Sequence, residues 1–224
     1  MWISPKYQRS DFPEILEAGH MILIFEDRTL GWQIDIAAKC CDLEEGAFAS
    51  LHIIMSYFEM IAQYERGENS NFRLAEFFER GILSVFPQLR EMENYEDIVR
   101  NLQNSRNGLY HSGMTREKVL LTDDTDSPIS NDQSRRVILI NPKLLISAVQ
   151  DHFVRYITRL KSLNDSDQSL TRFVQRFREE FPKINMLAEL AHNDLSLDQC
   201  STIPKGVSIM KHVTASGVPQ RKSL

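Results

Sequence analysis

The chain has 224 residues, 42% hydrophobic and 25% charged, enough apolar content for one sizeable core or a core with an appendage. Its net charge of −5 argues against a protein that coats nucleic acid by bulk electrostatics, but the balance is uneven: residues 1–150 carry 15 Lys and Arg against 23 Asp and Glu, and residues 151–224 carry 11 against 8. Either a solvated tail or a local phosphate-binding surface explains that asymmetry.

No apolar run approaches the roughly 20 residues of a membrane span. The opening Met1-Trp2-Ile3-Ser4-Pro5-Lys6 lacks the apolar core of a secretory signal, so no membrane partner and a cytoplasmic location are expected. Cys40 and Cys41 are adjacent and Cys200 is distant, which offers neither a disulfide framework nor a metal-ligand spacing. Reduced thiols, no metal and no cofactor are the expectation.

Helical patterns run almost throughout. Residues from about Phe12 to Phe25 are moderately amphipathic, and Gly31 to Cys41 continue with Trp32, Ile34, Ile36, Ala37 and Ala38. From Gly46 to Arg66, residues Phe48, Leu51, Ile54, Met55, Phe58, Ile61 and Ala62 recur at three and four, and Gly67 follows as a stop. Asn71 to Phe86 repeats the pattern and ends at Pro87, and Glu93 to His111 forms a further helix that Gly113 closes. Lys118–Leu121 and Arg136–Ile140 are apolar runs separated by a polar loop, predicting a hairpin over about 117–140 with a long mobile tip. Asn141-Pro142 supplies a cap and a first-turn proline for a helix to about Leu163.

Beyond Asn164, residues Leu170, Phe173, Val174, Phe177 and Phe181 make an apolar stripe, with Arg172, Arg176 and Arg178 on the outer side. Such a stripe should dock on its own bundle, since exposure would invite aggregation. From about Cys200 the chain is rich in Ser, Thr, Gly, Pro and Lys, the composition of a flexible tail. The expected organisation is N-terminal helices over 1–45, a helical bundle over 46–163, and a C-terminal amphipathic helix and tail over 164–224.

The segment Arg106-Asn107-Gly108-Leu109-Tyr110-His111 concentrates the chemistry. Arginine presents a permanent cationic fork to phosphoryl oxygens, and histidine is the side-chain type that exchanges protons near neutrality. Together they suit phosphate chemistry without a metal. On a regular helix, however, residues five apart differ by about 140° after a full turn and by about 7.5 Å along the axis. Gly108 could loosen the helix, or a two-fold partner could bring a second copy of the motif across the interface.

Arg-Asn-x-x-x-His resembles the signature of the HEPN superfamily, all-helical proteins that include many metal-independent RNA endonucleases. The resemblance covers about Phe48 to Leu163. It implies an all-α bundle of four to five helices with a small β-hairpin insertion and a C-terminal appendage. It also implies a homodimer whose paired motifs form one cleft, acting on RNA as a toxin or defence nuclease. His111 would transfer the proton, Arg106 would clamp the phosphate, and Asn107 would orient either of them. The products would be a 2′,3′-cyclic phosphate and a 5′-hydroxyl. An accessory group on an earlier helix would be Glu59 or Tyr57, with Tyr110 beside the histidine. A cognate antitoxin or regulatory protein is an implied partner, although the tyrosine that some such toxins carry two places after the histidine is Gly113 in this sequence.

The alternative is a non-catalytic helical module for dimerisation, partner or nucleotide binding. In that reading Arg106 pairs with a carboxylate such as Glu93 or Asp97, and His111 caps the last carbonyls of its helix. His52 reads as a structural histidine, His20 and His152 stand alone, and His192-Asn193-Asp194 reads as a helix end.

Overall fold

The computed structural model describes residues 1–115, 118–182 and 184. The expected tail beyond Cys200 and the His192-Asn193-Asp194 triplet lie outside the described residues.

The fold is mainly helical. Helix α1 (Ala18–Thr29) runs through a π-helical turn at Leu30–Ile34 directly into α2 (Asp35–Cys41), so one continuous element replaces the two helices expected there. Its start is later than the pattern suggested. The Arg9 guanidinium donates to the carbonyls of Phe12, Pro13 and Glu14 and holds that stretch out of the helix. Gly31 lies in the π turn because the Pro5 ring occupies the space where a side chain would begin, a Cβ there meeting Pro5 Cγ at 2.5 Å.

Helix α3 (Ala47–Arg66) is the spine. Leu51, Ile54, Met55, Phe58, Ile61 and Ala62 all fall below 2% exposure, as the three-and-four spacing requires. Gly67 closes it in the left-handed region at φ 71°, with the Arg172 backbone packed against the same glycine. Helix α4 (Leu74–Val85) begins three residues later than the Asn71 expected, because Asn71 takes a positive φ of 40°. It crosses α3 so closely at Gly81 that any side chain would run into the Phe58 carbonyl.

Helix α5 (Tyr95–Ser112) carries the motif. It ends at Gly113, φ 68°, where the amides of Gly113 and Met114 bond back to Leu109 and Gly108 at 3.2 and 3.4 Å.

The predicted two-stranded hairpin is corrected to a three-stranded sheet in the order β1-β3-β2, formed by β1 (Val119–Leu121), β2 (Ile129–Asp132) and β3 (Val137–Ile140). The two apolar runs pair parallel, Val119 against Ile138, and the antiparallel partner of β3 is Ile129–Asp132, in the segment expected to be a mobile tip. A strand reading Ile-Ser-Asn-Asp has little intrinsic β preference. Its register is set instead by the turn, where Asp132 Oδ1 accepts from the Ser134 and Arg135 amides at 3.0 and 3.1 Å.

Helix α6 (Pro142–Ser162) starts as the sequence indicates, the Asn141 side chain accepting from the Leu144 amide at 3.2 Å with Pro142 in the first turn. Helix α7 (Gln168–Glu180) docks on the core. Phe173 and Phe177 are fully buried, and Phe173 lies 5.5 Å from both Phe25 and Tyr64, ring centre to ring centre. Arg176, expected on the outer side, is instead buried at 4% exposure and pairs with Glu179 and Glu180. Among the described residues no helix is long and apolar enough to cross a membrane.

Candidate functional site

Helices α3 and α5 are joined by one polar cluster. The Arg106 Nη2 donates to Glu59 Oε2 at 2.7 Å, its Nη1 donates to Asn107 Oδ1 at 3.1 Å, and its guanidinium lies 4.6 Å over the Tyr110 ring. The other Glu59 oxygen accepts from Ser70 Oγ at 2.7 Å and Gln63 Nε2 at 3.3 Å. Tyr110 in turn packs against the His52 ring at 4.6 Å. Glu59 and Arg106 are 12% and 18% exposed, so their charge-assisted bond is shielded yet reachable from solvent. The Arg106 Nε is buried and lacks a hydrogen-bond partner among the described residues.

The cluster unites four of the six residues singled out from the sequence. Glu59, named as an accessory group on an earlier helix, meets Arg106 directly. Neither Glu93 nor Asp97 does: Glu93 accepts from Gln133 at 3.3 Å and Asp97 pairs with Arg100. Tyr57 is corrected out of this site. Two residues before Glu59 on a helix means a turn of about 200°, and its side chain is fully buried with its hydroxyl on His152.

His111 occupies the exposed last turn of α5 and has no hydrogen-bond, ion-pair or ring partner among the described residues. Gly108 does not loosen the helix. It is buried within an unbroken α5, so the helical geometry that separates His111 from Arg106 on one chain is retained. Beside this end of α5, residues Phe48, His52, Ile53, Leu109 and Gly113 line a groove of about 370 Å³. Phe48, Tyr110 and Met114 are exposed around it.

A second constellation escaped the sequence reading. His152, solitary in the sequence, sits between Tyr57 Oη at 2.9 Å from Nδ1 and Ser84 Oγ at 3.1 Å from Nε2, and Ser84 donates to Glu65 Oε1 at 2.7 Å. Because the Ser84 proton goes to Glu65, its oxygen accepts from Nε2–H, leaving Nδ1 to accept from the Tyr57 hydroxyl. Burial, with help from the Arg155 charge, pushes the His152 pKa down to about 4. Burial also holds the Glu65 carboxyl above its ordinary value, opposed by the Ser84 hydrogen bond and by Arg80. This wiring keeps a neutral histidine in the core, directs the serine hydroxyl to Glu65 rather than to the imidazole, and braces α3, α4 and α6. The only sequence signal was a histidine at an inward-facing helical position.

Among the described residues no group of three or more His, Cys, Asp and Glu is placed to hold a metal. No family model, no curated protein and no solved structure matches the chain.

Proposed function

We propose that the protein is a metal-independent RNA endonuclease of HEPN type that works as a homodimer. The observation that carries this reading is the Glu59–Arg106–Asn107–Tyr110 cluster, with His111, which has no partner among the described residues, on the next turn at the open end of the same helix. Glu59 and Tyr110 fix the guanidinium, so a phosphate meets a preset cation and loses little in ordering it. His111 is exposed at the helix end and pairs with no other side chain among the described residues. Since α5 holds Arg106 and His111 of one chain apart, a productive site combines Arg106 of one protomer with His111 of its partner. The apolar groove beside Tyr110 and the exposed Phe48 and Met114 form the face on which the second copy packs.

In the reaction, His111 takes the proton from a ribose 2′-hydroxyl as that oxygen attacks the adjacent phosphorus. The bond to the 5′-oxygen breaks, and that oxygen takes up a proton from the imidazolium so formed, which returns His111 to its neutral state. Arg106 stabilises the charge on the phosphoryl oxygens. The cyclic phosphate is the product. A histidine in this role supplies about 10²–10⁴ in rate. Cleavage of RNA in excess chelator, with a cyclic-phosphate terminus, is expected from the native protein, and the Arg106→Ala protein should both cleave and bind RNA poorly. Cleavage that stops in chelator would contradict the proposal.

The ion pair of Arg106 with Glu59 favours a second reading, in which the cluster only ties α3 to α5 and the adjacent face binds another copy of the chain. Undiminished dimerisation with no RNA cleavage would select it.

A further inference from the structure

On the other side of Glu59, between α1, the π turn, α3 and α7, lies a pocket of about 520 Å³, the size that admits a small organic molecule. Its aromatic lining includes Trp32, Tyr64 and Phe181. Two of its polar groups are buried and have no hydrogen-bond partner among the described residues: the Tyr64 hydroxyl, on a side chain 2% exposed, and Arg176 Nε, on one 4% exposed. Such groups cost stability unless something takes them up.

The charges complete the picture. Both acids lining the pocket are ion-paired, Glu180 with Arg176, which Glu179 also shares, and Glu59 with Arg106. Arg28 lies within the field of Glu180 but forms no ion pair with it. Its guanidinium sits 4.8 Å from the Trp32 ring centre and 4.5 Å from that of Phe181, donates to the Ile3 carbonyl, and has no carboxylate at ion-pair distance among the described residues. The π turn brings Trp32 and Gln33 to this wall. Wide helical turns of this kind frequently mark functional sites.

We propose that this pocket binds a small aromatic oxyanion. Its carboxylate or phosphate takes the donors of Tyr64, Arg176 and Arg28, and its ring lies against Trp32. Binding stands independently of RNA cleavage. The full chain is titrated calorimetrically with AMP and with indoleacetate, and with their uncharged counterparts adenosine and indoleacetamide. In parallel, Trp32 emission is followed in a Trp2→Phe protein, which leaves Trp32 as the single tryptophan. At least one of the two anions should bind saturably, alter Trp32 emission and bind at least tenfold more tightly than its uncharged counterpart. AMP alone would identify a phosphate ligand, indoleacetate alone a carboxylate. Tyr64→Phe should weaken binding roughly tenfold without lowering the melting temperature, because the lost hydroxyl has no hydrogen-bond partner among the described residues. Arg28→Gln should weaken the anion and spare the uncharged compound. The proposal is overturned if neither anion binds, if the uncharged compounds bind as tightly, or if Tyr64→Phe binds like the native protein.

Discussion

A single carboxylate, Glu59, holds three donors from two helices and a loop: Arg106, Gln63 and Ser70. Glu59→Gln keeps the volume and removes the charge, so the shielded Arg106 loses its counter-ion. A loss of about 1.5–3 kcal/mol in denaturant-induced unfolding is expected, the usual worth of a hydrogen bond to a charged partner. His152 makes a different kind of prediction. The folded protein holds its pKa at about 4, against an ordinary 6.5, so on acidification the unfolded chain takes up the proton first. Stability from this group is constant above about pH 6.5 and is lost as pH falls from there toward about 4, by on the order of 2 kcal/mol after allowing for its partial contact with solvent. Glu65, raised by burial, acts in the opposite sense, because its folded form is the better proton acceptor. In His152→Gln the loss between pH 6.5 and 4 should largely disappear from a series of unfolding curves. Equal pH dependence in both proteins would place the titrating group elsewhere.

Two close contacts fix how the helices stack. Gly81 lets α4 approach the Phe58 carbonyl on α3, and Gly81→Ala should cost about 1–3 kcal/mol by overpacking, read as an earlier unfolding midpoint. Phe173 anchors α7 among Phe25 and Tyr64. Phe173→Ala should cost about 3–5 kcal/mol, and an unchanged midpoint would mean that α7 does not belong to this core. These elements also show what the sequence discloses. Helices with long apolar periods were legible almost to the residue: α3 between Gly46 and Gly67, and α6 behind Asn141-Pro142. The sheet was not, since parallel pairing of Val119–Leu121 with Val137–Ile140 and recruitment of Ile129–Asp132 depend on tertiary contacts that no local pattern encodes. The Arg106–Glu59 contact was half legible. An acid on an earlier helix could be named, but choosing Glu59 over Tyr57 required knowing which face of α3 meets α5, and the His152 network depends on three helices at once.

For the whole molecule the proposed nuclease requires two chains, because α5 is regular and keeps its own Arg106 and His111 apart. Sedimentation should therefore show a dimer, weakened by Phe48→Glu or Met114→Glu at the apolar face. Mixing inactive Arg106→Ala and His111→Ala proteins under exchanging conditions should restore cleavage, because each mixed dimer holds one intact pairing of Arg106 from one chain with His111 from the other. Mixtures as inactive as their parents would exclude a shared site. The most direct test remains the chemistry at His111. Native and His111→Ala proteins are incubated with RNA in excess chelator, and the products are analysed for terminal phosphate. A nuclease of this kind yields cyclic-phosphate ends from the native protein and a loss of two or more decades in rate from a folded variant; cleavage that survives His111→Ala, or that is absent from the native dimer, would contradict the proposed mechanism.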